Sequence, residues 1–125
     1  MLDGFRNNST LELFQDQFRT PIYVSDAGHG IEIILDRPEL TGVYHLGGSE
    51  RINRSDFGYR MAEILGFDPS VIRLTLMSDK TGIPPTPADA TLDSGKFFRA
   101  TGFRGRDVTE GLESLKSKGY FENLT

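Results

Sequence analysis

An α/β fold, with α+β as its variant, is what this sequence predicts, and three observations carry the prediction. Short apolar runs that alternate with period two are followed by segments whose apolar residues recur every three to four positions. Helix-starting residues stand where the period switches, as at Ser25-Asp26 and Ser55. Glycines and prolines fall mostly between the periodic segments. Strand and helix therefore alternate along the chain, the pattern of mixed α and β layers.

The elements follow in order. Leu11 and Leu13 alternate with Thr10 and Glu12, a short strand ending near Phe14. The stretch QDQFR is a polar turn, and Pro21 to Val24 reads as a second strand whose leading proline suits a strand start or an edge. Val24, Ala27, Ile31 and Leu35 then share one helical face, and the helix ends over Asp36 to Thr41. GVYHLGG (42–48) reads as a buried strand. Ser55 starts a helix with Phe57, Met61, Ile64 and Leu65 as its stripe and Gly66 as its close. Asp68 with Pro69 gives one further turn. IRLTLM alternates, with Ile72, Leu74 and Leu76 expected inward. A proline-rich connector follows; Asp93 to Ala100 is a short helix, Thr101 to Arg106 a loop. Val108, Leu112 and Leu115 mark a last helix ending near Gly119.

With 125 residues the chain makes one small domain, and 37% hydrophobic against 26% charged residues is the balance of a soluble globular protein. A net charge of −4 argues against nonspecific nucleic-acid or acidic-membrane binding. No apolar run reaches membrane-spanning length, and MLDGFRNNST has no secretory signal pattern. The sequence holds no cysteine, which excludes disulfides, thiolate catalysis and cysteine zinc sites and fits a cytoplasmic location.

Gly28-His29-Gly30 lies within helical periodicity, without GxGxxG or GxxxxGK[ST]; it reads as a helix packed against a close neighbour rather than a phosphate loop. Gly47-Gly48 reads as a plain turn. His29 and His45 are the sole histidines, no HExxH spacing accompanies them, and no metal site is expected. His45 reads as hydrogen-bonded structure inside its strand. No catalytic set is expected either: GxSxG is absent, and carboxylates such as Asp16 and Asp26 cannot be paired from sequence. Arg19 is the most informative cation. A guanidinium grips phosphate bidentately and keeps its charge at neutral pH, and this one stands at the mouth of a strand-to-helix corner. Its alternative is a solvated surface arginine.

Four segments carry a resemblance. DQFRTPIYVSD (16–26), GVYHLGGSERINRSDFGYRMAEILG (42–66), PPTPADATLDSGK (84–96) and TGFRGRDVTEGLESL together resemble, in order and spacing, the C-terminal part of extended short-chain dehydrogenase/reductases. Within that family they are most similar to the dTDP-4-dehydrorhamnose reductase-like, sugar-nucleotide reductase branch. The resemblance implies a partial extended Rossmann-type fold whose N-terminal Rossmann half is missing. Residues 1–125 would form a single C-terminal substrate-binding portion, with 1–9 the remnant of a preceding helix or tail and 78–91 a proline-rich loop.

The resemblance further implies an enzyme that reduces a 4-keto nucleotide-sugar, a dTDP-sugar by preference, with NADPH or NADH. The cofactor would be bound by the N-terminal half and none by this chain alone. The family's glycine fingerprint and Tyr-x-x-x-Lys pair are absent here, so the isolated chain is expected to be inactive. Carried over by position, Arg19 matches the arginine that contacts the substrate diphosphate. Asp16 and Gln17 match the polar pair leading into that cleft, Tyr23 and Asp26 match the strand-helix corner with Asp26 as a helix cap, and Asp93 and Lys96 match a structural turn. Thr86 stands where many relatives carry a second phosphate-directed arginine; Arg51 or Arg54 are the cations that could replace it. The alternatives are a non-catalytic regulatory or partner-binding module of the same fold and an unrelated small α/β binding domain. Apolar faces that would lie against the Rossmann half are expected to reach water and drive homo-oligomer formation.

Overall fold

The computed structural model describes residues 1–122. Five α-helices and four short strands follow one another along the described residues: α1 (Leu2–Arg6), β1 (Leu11–Phe14), β2 (Phe18–Arg19), α2 (Val24–Asp36), β3 (Ile52–Asn53), α3 (Arg54–Leu65), β4 (Ile72–Thr75), α4 (Gly95–Thr101) and α5 (Val108–Ser117). β1 pairs in parallel with β4, Leu11 opposite Ile72 and Phe14 opposite Thr75. β2 pairs antiparallel with β3, Phe18 opposite Asn53 and Arg19 opposite Ile52.

Helix α3 is the centre of the core. Its stripe Phe57, Met61, Ile64 and Leu65 packs, with Ala62, against Phe5 of α1, Ile52 of β3 and Val108 and Leu112 of α5. Asn53 caps its start by accepting the Asp56 N–H at 2.7 Å, and Ser55, the expected cap, is buried and donates to Asn53 Oδ1. Gly66 ends it at φ +75°, a backbone that a side chain would strain. At α5, Asp107 and Glu110 form a reciprocal capping box. Asp68 starts a 3-10 turn over Pro69–Val71, as its position before a proline predicts.

A second, aromatic cluster joins α2 to α4. Phe97, 1% exposed, meets Tyr44 and Phe103 edge-on at 6.1 and 6.2 Å, and His29 meets Phe103 at 5.0 Å. Gly30 belongs to the same contact: a Cβ there would stand 2.2 Å from Leu46 Cδ2. The close-neighbour reading of Gly30 holds, whereas Gly28 has open space around it.

Several expectations meet a different outcome in the structure. Residues 42–48 form no strand; Tyr44 and Leu46 turn inward and Val43 and His45 outward, the strand alternation, but no ladder partner stands beside them among the described residues. His45 is consequently exposed and makes no hydrogen bond within the described residues. Leu74 in β4 and Leu76 just beyond it face outward too, 46% and 41% exposed. On α2, Val24, Ile31 and Leu35 do share a face, and it is 70%, 61% and 75% exposed, while Asp26 and Gly30 on the other side are buried. In each case apolar positions with a buried pattern stay open to solvent among the described residues. The strand expected at 21–24 is displaced to Phe18–Arg19: Pro21 has no N–H to give a ladder, and Val24 already opens α2.

Candidate functional site

The geometry that positions Arg19 begins in β2. Its backbone lies opposite Ile52, and Nη1 of its guanidinium donates to the carbonyls of Phe18 at 2.6 Å and Pro87 at 3.2 Å. Those two bonds fix one corner of the planar group. Nε and Nη2 have no protein partner among the described residues. The half-buried side chain borders a cavity of about 300 Å³ lined also by Met1, Pro21, Ile52, Asn53, Arg54, Phe57 and Met61. Two arginines, Arg19 and Arg54, line it together with aliphatic, thioether and aromatic residues, and no acidic residue does. Such a pocket accepts an anion attached to an apolar or aromatic body.

The other residues placed beside Arg19 by sequence do not border that cavity; they hold its frame. Asp16 receives the Met77 N–H on its carboxylate at 3.0 and 3.2 Å and so ties the end of β1 to the end of β4. Gln17 is 8% exposed, and its carbonyl accepts the Arg54 N–H at 3.1 Å. Tyr23 is buried at the start of α2, facing a separate void of about 90 Å³ beneath α5. Its hydroxyl meets Lys118 Nζ at 2.9 Å, and the Arg106 guanidinium lies 4.9 Å from its ring centre. The Lys118 ammonium holds the phenol below its ordinary range, and the hydroxyl in return holds Lys118 above its own.

Asp26 does not cap its own helix. It is 6% exposed and turned inward, where it accepts the Arg106 N–H at 2.7 Å and pairs with the Arg106 guanidinium. Asp93 does shape its turn, accepting the Gly95 N–H at 2.8 Å, and Lys96 donates to the Val43 carbonyl at 2.7 Å.

A larger cavity of about 500 Å³ lies between the Gly47-Gly48 turn, residues 91–95 and residues 103–105. Its size exceeds that of the Arg19 pocket; Arg104 stands at it over the Phe98 ring, but the backbone donors of its glycine turn and Arg51 are already engaged. Gly47 N–H donates to Ser94 Oγ, Gly48 N–H to the Thr20 carbonyl and Ser49 N–H to the Arg106 carbonyl. Arg51 is bound to Asp89. The glycines are there for close approach, since a Cβ on Gly48 would come within 1.8 Å of the Pro21 carbonyl oxygen. The turn is structural, and these residues do not fit a dinucleotide cradle. Among the described residues no cluster of three metal-ligating side chains occurs, and no helix is long and apolar enough to cross a membrane.

Sequence reasoning singles out Arg19 and leaves Arg51 and Arg54 open as the cations that could stand with it. The signal that separates them is spatial: Arg54 lines the Arg19 cavity, while Arg51 lines the other one. Ile52, Phe57 and Met61 read only as core from their periodicity, and they are both core and cavity wall.

Comparison with known proteins agrees with this architecture. The profile of the family described as RmlD substrate binding domain matches residues 1–120. A probable low-salt glycan biosynthesis reductase, Agl14 of Haloferax volcanii, is 29% identical over 108 residues, which cover 86% of this chain and 36% of that protein. The fold superimposes on the dTDP-4-dehydrorhamnose reductase of Bacillus anthracis solved with NADP, with a TM-score of 0.81 and 18% identity over 94% of this chain and 41% of that one. It also superimposes on the dTDP-glucose 4,6-dehydratase of the same organism solved with NAD, with a TM-score of 0.76 and 15% identity over 98% of this chain and 38% of that one. The chain thus spans about two-fifths or less of the length of these relatives, and its mixed parallel architecture is a part of a Rossmann-like reductase fold. It belongs to the RmlD substrate-binding domain family.

Proposed function

We propose that this chain is the nucleotide-sugar-binding portion of an NAD(P)-dependent reductase that converts the 4-keto group of a sugar nucleotide, a dTDP-sugar by preference, to an alcohol. The observation that carries the reading is the free Nε–Nη2 edge of Arg19 beside an apolar cavity without a carboxylate. A diphosphate oxygen pair would take that edge in the fork geometry that guanidinium favours. The nucleoside would lie along Ile52, Phe57 and Met61. Asp16, Gln17 and Tyr23 act in this reading by holding β2 and the corner before α2 in place.

The cofactor, NADPH or NADH, belongs to the remaining portion of such a reductase, together with the proton donor. That portion would pack on the apolar face of α2 and beside residues 43–46, which are patterned for a neighbour. This chain's share of the catalysis is to hold and orient the sugar nucleotide. A charge-assisted contact of the Arg19 kind is worth about 1.5–3 kcal/mol, which is roughly ten- to a hundredfold in affinity.

Calorimetric titration of the chain with a dTDP-sugar is the test. The wild-type chain should bind, and Arg19→Ala should weaken binding by about that factor. Absence of binding by the wild-type chain would end the proposal. A non-catalytic regulatory module of the same fold is the second reading. Thr86 supports it, since it brings no positive charge at the position where the family resemblance implies a second phosphate-directed arginine. Capture of a separate enzyme through the α2 face, without any effect of sugar nucleotides on melting temperature, would decide for it.

A further inference from the structure

We infer that Arg54 is a second phosphate-binding residue in this cavity, and that the pair Arg19–Arg54 selects a nucleoside diphosphate over the corresponding monophosphate. The inference rests on the proposed function and deepens it. Arg54 opens α3 two positions beyond Ile52, which stands opposite Arg19 in the β2–β3 ladder. Its backbone is fixed from beneath, because its N–H donates to the Gln17 carbonyl at 3.1 Å.

Its guanidinium, by contrast, has no acceptor among the described residues, although carboxylates are more numerous than cations in the chain. Other arginines nearby are treated differently. Arg51 is held by Asp89, Arg60 by Glu50 and Arg106 by Asp26. Arg19 and Arg54 both line one cavity that has no acidic residue in its lining. Two like charges bordering a common space repel each other, and an anion between them turns that repulsion into attraction at both ends. One phosphate satisfies the free edge of one fork. A diphosphate offers a second phosphate to the other fork while its nucleoside stays on the Ile52–Phe57–Met61 wall.

The test titrates the chain with dTDP and with dTMP, in the wild type and in Arg19→Ala, Arg54→Ala and Arg104→Ala. Arg104 is an exposed guanidinium at the other cavity and serves as the charge control. Arg54 is exposed as well, so its replacement should leave the fold intact, which the melting temperature checks. The expected result is that Arg54→Ala weakens dTDP at least tenfold, changes dTMP less than about twofold, and erases the preference between them. Arg104→Ala should change neither. Loss of dTDP binding in Arg19→Ala with an unchanged Arg54→Ala would overturn the role of Arg54 and leave the proposed function standing. Failure of the wild-type chain to bind dTDP would remove both.

Discussion

Asp89 shows how single side chains lock the surroundings of the Arg19 cavity. The Arg51 guanidinium donates to its Oδ2 through Nε at 3.0 Å and Nη2 at 2.8 Å while lying 3.6 Å above the Phe18 ring. The Thr91 N–H donates to Oδ1 at 3.0 Å. These bonds, that from Arg51 foremost, favour the carboxylate and bring its pKa from 3.8 down to about 2. The folded value lies below the unfolded one. The stability linked to Asp89 is therefore fully present above about pH 4, the ordinary aspartate value, and is lost as the pH falls through about 2. Asp89→Asn should lower the urea midpoint at pH 7, and its deficit against the wild type should shrink between pH 4 and pH 2. Parallel stability curves down to pH 2 would refute the assignment. The pair matters to the site because Phe18, the neighbour of Arg19, bridges to Asp89, its N–H and carbonyl bonding Ala88 and Ala90.

At the scale of elements, α2 shows what a sequence can and cannot reveal. Its existence and length follow from periodicity, and so do α3 with Gly66 and α5 with its leucines, because capping and 3.6-residue spacing are local properties. The direction in which α2 faces is not local. Asp26 reads as a helix cap from its position, yet it crosses to the loop before α5 and receives two charge-assisted bonds from a residue 80 positions away. Nothing at either position announces the other. The same limit applies to the candidate site: Arg19 is legible as a cation at a corner, but that Arg54 lines the same cavity follows from β2–β3 pairing and not from either residue's neighbours in sequence. Asp26→Ala would leave the Arg106 N–H and guanidinium without their acceptor. The cost should be about 2 kcal/mol, less than the roughly 3–5 for a fully buried pair because Arg106 is partly in water. Asp26→Asn, which keeps an acceptor and loses the charge, should cost less. Chemical denaturation of the two variants measures both values, and an unchanged midpoint in Asp26→Ala would show that the bonds add nothing to the fold.

The whole molecule carries more apolar pattern than it buries. Val24, Ile31 and Leu35 lie along one side of α2, Val43 is 71% exposed, Leu74 sits on a sheet of two strands and Leu76 just beyond it. Isolated exposed apolar residues are ordinary on protein surfaces, but a contiguous face along a 13-residue helix is the kind of patch that marks an interaction surface. In a complete reductase we propose that the remaining portion covers it. In the chain by itself water is the alternative neighbour, and a second copy is the nearest apolar one. Association of two α2 faces is therefore expected to yield a dimer, against which a net charge of −4 spread over the chain offers only weak repulsion. The double substitution Ile31→Glu with Leu35→Glu places like charges at the centre of that contact and should return the chain to a monomer. Because both side chains are mostly in water in the single chain, the substitution should leave the unfolding transition of the monomer nearly unchanged. Sedimentation equilibrium over a wide concentration range distinguishes the outcomes: a wild-type chain that stays monomeric at millimolar concentration would show that the face does not self-associate.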